Sequence, residues 1–206
     1  MNDNTTSHVP ARPLRADARR NRELLLITAR AMFSEGQLEL RMDEVARRAG
    51  VGIGTLYRHF ETRDALIEAI YHQDIVWLCS LPEDLLSTQP ADAALGAFLT
   101  TLIDYAADNR GLTTALCAVP VSGRSAGVLN GPAQLTQALT QLLHAGVTEG
   151  RLRDDADPAT VTMVLISLGT AQNRPDWQTQ AQKVIALLLD GLRFGARGLA
   201  VPQSRR

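Results

Sequence analysis

The sequence predicts an all-α protein: a small N-terminal head of three helices followed by a larger helical body. Three observations predict it. Apolar residues recur at spacings of three and four, as in Met42, Val45, Ala46 and Ala49, which aligns them on one face of a helix with 3.6 residues per turn. Glycine or proline separates such stretches, at Gly36, Gly50, Pro120, Gly150 and Pro158, where helices stop and start. No strand pair with a hairpin signal and no internal repeat interrupts the pattern.

The 206 residues allow one large or two small domains. With 45% hydrophobic and 21% charged residues, the composition is that of an ordinary soluble protein. A net charge of −1 conceals an asymmetry. Residues 12–63 carry eleven arginines against seven carboxylates, whereas residues 64–206 carry ten basic against fourteen acidic groups. Only the N-terminal quarter suits a polyanion. No apolar run reaches the roughly 18 residues of a membrane span, and the polar N-terminus lacks a signal peptide's apolar core; a cytoplasmic protein with no membrane partner is expected. Cys79 and Cys117 are too few for a disulfide framework and read as core filling, with redox sensing as the alternative.

Residues 1–14 are polar, contain two prolines and have no periodicity, so a disordered arm is expected. It is either an inert tail or a minor-groove arm using Arg12 and Arg15, with Arg19, Arg20 and Arg22 behind them. A first helix follows over residues 17–35, its stripe formed by Leu25, Ala29, Met32 and Phe33, and Gly36 ends it. This helix is expected to cover the next two, giving the head one small core.

Residues 41–63 read RMDEVARRAGVGIGTLYRHFETR, one short helix, a glycine corner and a second short helix. Gly50 suits the left-handed conformation just past a helix, and Gly52 is an acceptable, weak N-cap. Leu56 and Phe60 would pack back on the first helix, which turns Gly54 and Arg58 outward and Thr55 and His59 to the flanks. Thr55 and Arg58 have the chemistry to bond base edges. The Tyr57 hydroxyl, His59 and a helix start at Thr62-Arg63 suit phosphate oxygens, because Thr62 is a good N-cap and the free amides of a first turn favour an anion. With Arg41, these residues form the candidate DNA-binding set: Arg41, Gly54, Thr55, Tyr57, Arg58, His59, Thr62 and Arg63.

The pattern AxxAGVxxGTLYxHFxxR from Ala46 to Arg63 resembles the DNA-binding motif of the TetR family of bacterial transcriptional repressors. Three residues depart from it: Gly52 stands where serine is usual, Ile53 where a polar or basic residue is usual, and Arg41 where serine or threonine commonly caps the helix. Arg63 replaces a usual lysine, and both suit phosphate. The resemblance implies a helix-turn-helix DNA-binding domain followed by a helical effector-binding and dimerisation domain. Expected boundaries are an arm over 1–14, the head over 15–62, the body over 63–200 and a tail over 201–206.

Beyond Thr62 a helix to about residue 80 places Leu66, Ile67, Ile70, Tyr71 and Leu78 toward the core, and Leu81-Pro82 is expected to close it. In the TetR family the equivalent helix is the mechanical link to the head. Residues 92–109 form a helix with Leu95, Phe98, Leu99, Leu102 and Tyr105 at core spacing. Residues 111–119 form a short one, 122–132 a loop rich in helix breakers, and 133–148 another helix. The last two helices span residues 158–171, opened by Asp157-Pro158, and 177–194. Both are apolar on more than one face, so the additional face is expected to meet a second copy of the chain. The candidate dimer residues are Val161, Val164, Leu165, Leu168, Val184, Leu188 and Leu192. The TetR family dimerises in the same manner.

A small-molecule pocket is expected among Trp77, Phe98, Leu102, Tyr105, Met163 and Asn173, which combine apolar surface with a few polar groups. No GxSxG, HExxH, P-loop or GxGxxG stretch is present, and His72 with Asp74 reads as a solvated helix face rather than a metal pair. No cofactor, metal or catalytic residue is expected. The preferred function is a homodimeric repressor that binds double-stranded operator DNA and is released by a small-molecule ligand. A constitutive DNA-binding protein with a filled body, or a helical-bundle enzyme, are the alternatives.

Overall fold

The structure, a computed structural model, describes residues 12–35, 37, 39–112, 128, 130–172 and 174–194. Its described helices are α1 (Arg12–Ser34), α2 (Met42–Arg48), α3 (Ile53–His59), α4 (Arg63–Thr88), α5 (Ala91–Asp108), α6 (Gly131–Thr148), α7 (Pro158–Thr170) and α8 (Trp177–Phe194). No strand occurs among the described residues, and none of their helices is long and apolar enough to cross a membrane.

Local chemistry accounts for most ends. Gly50 takes φ +67; its N–H donates to the Arg47 carbonyl at 3.2 Å, and the Val51 N–H to the Ala46 carbonyl at 3.0 Å. That pair of bonds is a Schellman motif closing α2. Gly150, with φ +68, closes α6 in the same way, with bonds from Gly150 to Val147 and from Arg151 to Gly146, both 2.9 Å. Thr62 caps α4 by accepting from the Ala65 N–H at 3.0 Å. Asp157 caps α7 through the N–H groups of Ala159 and Thr160.

Three elements depart from expectation. Helix α1 begins at Arg12, inside the segment expected to be a disordered arm, and α6 begins at Gly131 with Pro132 in its first turn. Helix α4 does not stop at Leu81-Pro82 but runs through Pro82 to Thr88. A proline inside a helix forgoes one backbone bond and costs about 3 kcal/mol. Pro82 is buried, however, and Leu81, Leu85 and Leu86 pack against the body's core; tertiary packing offsets the lost bond. Most of the expected short helix and breaker-rich loop at 111–132, and the tails over 1–11 and 195–206, lie outside the described residues, as do Gly36 and Cys117.

Two apolar cores result. The head core joins Leu25, Leu26, Met32 and Phe33 of α1 to Val45, Leu56, Phe60, Leu66, Ile67 and Ile70. Leu112 and Val128, far along the chain, also belong to it. The second core centres on Leu95, Phe98, Leu99, Leu139, Leu142, Trp177 and Ile185. Helix α4 contributes its first half to the head and its second half to the body, so any rotation of α4 moves both.

Candidate nucleic-acid interface

Helix α3 is seated by two residues: Leu56 is fully buried and Phe60 nearly so. The 3.6-residue period then places the rest of the helix outward. Tyr57 is 47% and Ile53 44% exposed, Gly54 and Arg58 are exposed, and Thr55 and His59 are half-buried. The Arg58 guanidinium donates from Nη2 to Thr55 Oγ1 at 2.9 Å, so the two expected base readers already hold one another. Gly54 meets no atom within 4 Å where a Cβ would stand.

The arginines of α2 are engaged with acids of the same surface. Arg41, the uncapped N-terminal flank of α2, pairs with Asp43 at 2.8 Å, both groups largely exposed. Arg47 and Arg48 both bond Glu44, and Arg48 also reaches Glu35 at 2.6 Å. Hydrogen bonds from Arg47 and then Arg48 hold the Glu44 carboxyl down at about 2. Exposed pairs of this kind are weak, so phosphate can compete for the same guanidinium groups. Thr62 places Arg63 in the first turn of α4, where its side chain is half-buried.

Arg22, expected only as a rear member of a minor-groove arm, is seated instead against the end of α3. Its guanidinium lies 5.1 Å from the Phe60 ring centroid, which fixes a cation at the C-terminal end of α3. A separation of 38 residues left no local signal for the pair.

The expected effector residues are only partly assembled. Trp77 and Tyr105 line a cavity of about 410 Å³ with Arg30, Gln73, Asp74 and Asn109, between α1, α4 and α5. Phe98 is fully buried in the second core, Leu102 packs against it, Met163 is 61% exposed and Asn173 lies outside the described residues. Asp74 is buried rather than part of a solvated face: Arg30 Nη2 bonds Oδ1, and the Tyr105 hydroxyl donates to Oδ2 at 2.7 Å. His72 remains exposed. Burial, reinforced by the Asp74 carboxylate, pushes the Tyr105 phenol far above its usual range. One carboxylate on α4 thus ties α1 of the head to α5 of the body. Among the described residues no three His, Cys, Asp or Glu side chains converge to hold a metal.

The expected dimer residues also divide. Val161, Leu165 and Leu192 are buried in the chain's own second core, whereas Val164, Leu168, Val184 and Leu188 are half-buried. The most exposed apolar side chains here are Leu187, at 72%, Met163 and Ile166, none of them among the expected seven. A helix apolar all round gives no indication of which face its own core takes.

A helix pair packed through one side, whose second, arginine-flanked helix turns its other side outward, defines a helix-turn-helix DNA-binding protein. The chain belongs to the TetR family of bacterial transcriptional regulators. Residues 25–70 match the family described as bacterial regulatory proteins, tetR family, and residues 89–194 match the SbtR-like transcriptional regulator C-terminal domain. The chain is similar to a TetR transcriptional regulator of Streptomyces coelicolor (38% identity, 84% of this chain and 98% of that one, TM-score 0.68). It is also similar to one of Mycobacterium vanbaalenii (34%, 88% and 99%, TM-score 0.66). An HTH-type transcriptional regulator of Staphylococcus aureus is 32% identical over 126 residues, or 59% of this chain. That match spans 65% of the relative's own length. The protein is a DNA-binding transcriptional regulator and not an enzyme.

Proposed function

We infer that the protein works as a homodimeric repressor that leaves its operator when a small molecule binds the body. The observation that carries this reading is the outward side of α3, where the exposed Arg58 holds the half-buried Thr55 while Leu56 and Phe60 anchor the helix. Thr55 and Arg58 read base edges; Tyr57, His59, Thr62, Arg63 and Arg41 hold phosphates, and Gly54 lets the backbone come close. Two copies of α3 enter successive major grooves roughly 34 Å apart on a near-palindromic site.

Dimerisation is supported by the exposed Met163, Ile166 and Leu187 on α7 and α8, with the half-buried Val164, Leu168, Val184 and Leu188 beside them. The effector enters the cavity over Trp77 and Tyr105, whose charged and amide lining suits a small polar molecule with a flat portion. A protein of the same fold, FadR of Bacillus subtilis, is known in complex with stearoyl-CoA; at 14% identity that likeness extends to the fold alone. A ligand that displaces either Arg30 or Tyr105 from Asp74 loosens α4 from one of its neighbours. It releases DNA only to the extent that it binds the loosened state more tightly.

Selection of genomic DNA by the purified protein, followed by gel-shift titration and sedimentation, tests the reading. A two-fold related site bound by a dimer is expected. Arg58→Ala should relax preference at one base position by about 1–3 kcal/mol, and Arg63→Ala should weaken all duplexes alike and lower the salt slope by about 1. A particle that stays monomeric at micromolar concentration and selects no duplex overturns it. Thermal-shift screening against metabolites separates a ligand-responsive body from a constitutive one.

A further inference from the structure

The first residue of α3 is an isoleucine, 44% exposed, with a glycine on either side. The fold requires neither glycine. Gly52 has φ −64 and ψ 140, a backbone open to any residue, and its absent Cβ would meet only Thr55 Oγ1 at 3.9 Å. Gly54 is helical, without positive φ, and has nothing within 4 Å. Inside a helix such a glycine is unfavourable by about 1 kcal/mol relative to alanine, so its place in α3 has no explanation within the chain. Bare backbone on an outer surface lets an external body approach closely, and the only large side chain standing out of that strip at the N-terminal tip of α3 is Ile53.

We propose that Ile53 is a specificity-determining residue that packs on the 5-methyl group of a thymine in the operator's major groove. In a helix-turn-helix complex, the N-terminal residues of the second helix approach base edges. Those edges present hydrogen-bond donors and acceptors, and thymine adds a methyl group. An isoleucine pressed against the other groups would strip water from them and give no bond in return. Against a methyl it removes apolar surface from water on both sides. Thr55 and Arg58, bonded to one another on the adjacent face, then supply polar readout beside this apolar one. The inference rests on DNA contact by α3 and adds which base chemistry its tip selects.

The test uses the full-length protein and a selected operator duplex in which each thymine is replaced, one at a time, by deoxyuridine, which differs only in lacking the methyl. At one thymine per half-site the wild type should lose about four-fold in affinity, the worth of one buried methyl. Ile53→Ala should bind the thymine and uridine duplexes equally, Ile53→Val should keep most of the discrimination, and neither should alter the melting temperature, because the side chain is exposed. Indifference of the wild type to every replacement overturns the proposal, as does methyl discrimination that persists in Ile53→Ala. Failure to select any duplex instead overturns the DNA-contact reading, and this inference with it.

Discussion

Two glycines four residues apart should respond to alanine with opposite signs. Gly50 has φ +67, where a Cβ crowds the following carbonyl and costs about 1–2 kcal/mol. Gly54 lies in α3 with open space around its missing Cβ, so Gly54→Ala should gain up to about 1 kcal/mol of helix propensity. In a chain of this length these changes correspond to melting temperatures lower and higher, respectively, by roughly 2–4 °C per kcal/mol. Function should run the other way at Gly54. A methyl on the strip facing the groove holds the backbone away from DNA, and losing one good base contact removes about 1–3 kcal/mol, roughly five- to 150-fold in affinity. Urea denaturation and gel-shift titration of both variants measure the two quantities. A destabilised Gly54→Ala, or a stabilised one that binds its operator as tightly as wild type, would refute the reasoning. Gly50→Ala supplies the control in which stability is lost through backbone strain.

Tyr105→Phe leaves the buried Asp74 carboxylate without one of its two donors among the described residues and should lower unfolding free energy by about 1–3 kcal/mol. Because the Tyr105 phenol is raised above its ordinary 10.0, its contribution is fully present below that pH and fades as pH rises beyond it. Ultraviolet titration should find one phenol that resists ionisation in the wild type and is missing in Tyr105→Phe; an unchanged titration curve defeats the assignment. Glu44 is held low, from 4.5 to about 2, so its ion pairs contribute above pH 4.5 and are lost as pH falls toward 2. Glu44→Gln should flatten the acid limb of the stability curve in that window, and an identical limb in both proteins counts against it. Burial raises the Cys79 thiol, so peptide mapping after alkylation at mildly alkaline pH should find it slow to react until urea unfolds the chain; rapid native labelling contradicts its placement.

The sequence by itself determined most of the described helices and several of their local stops. Gly50 and Gly150, the Thr62 and Asp157 caps and the span Trp177–Phe194 were legible because periodicity and capping act within about four residues. The outward side of α3 followed from the same arithmetic, since Leu56 and Phe60 define the inward side. Only the tertiary structure decided the rest. Pro82 reads as a helix end until the packing of Leu85 and Leu86 carries α4 through it. Asp74 reads as surface until Arg30, 44 residues earlier, and Tyr105, 31 later, converge on it. Phe98 and Trp77 look equally suited to a pocket, yet one is sealed in the core while the other lines the cavity. On α7 and α8 the apolar pattern could not separate Val161 and Leu165, turned inward, from Met163 and Ile166, turned out. Local rules fix which residues share a face, whereas which face meets which neighbour depends on chain segments that periodicity does not relate.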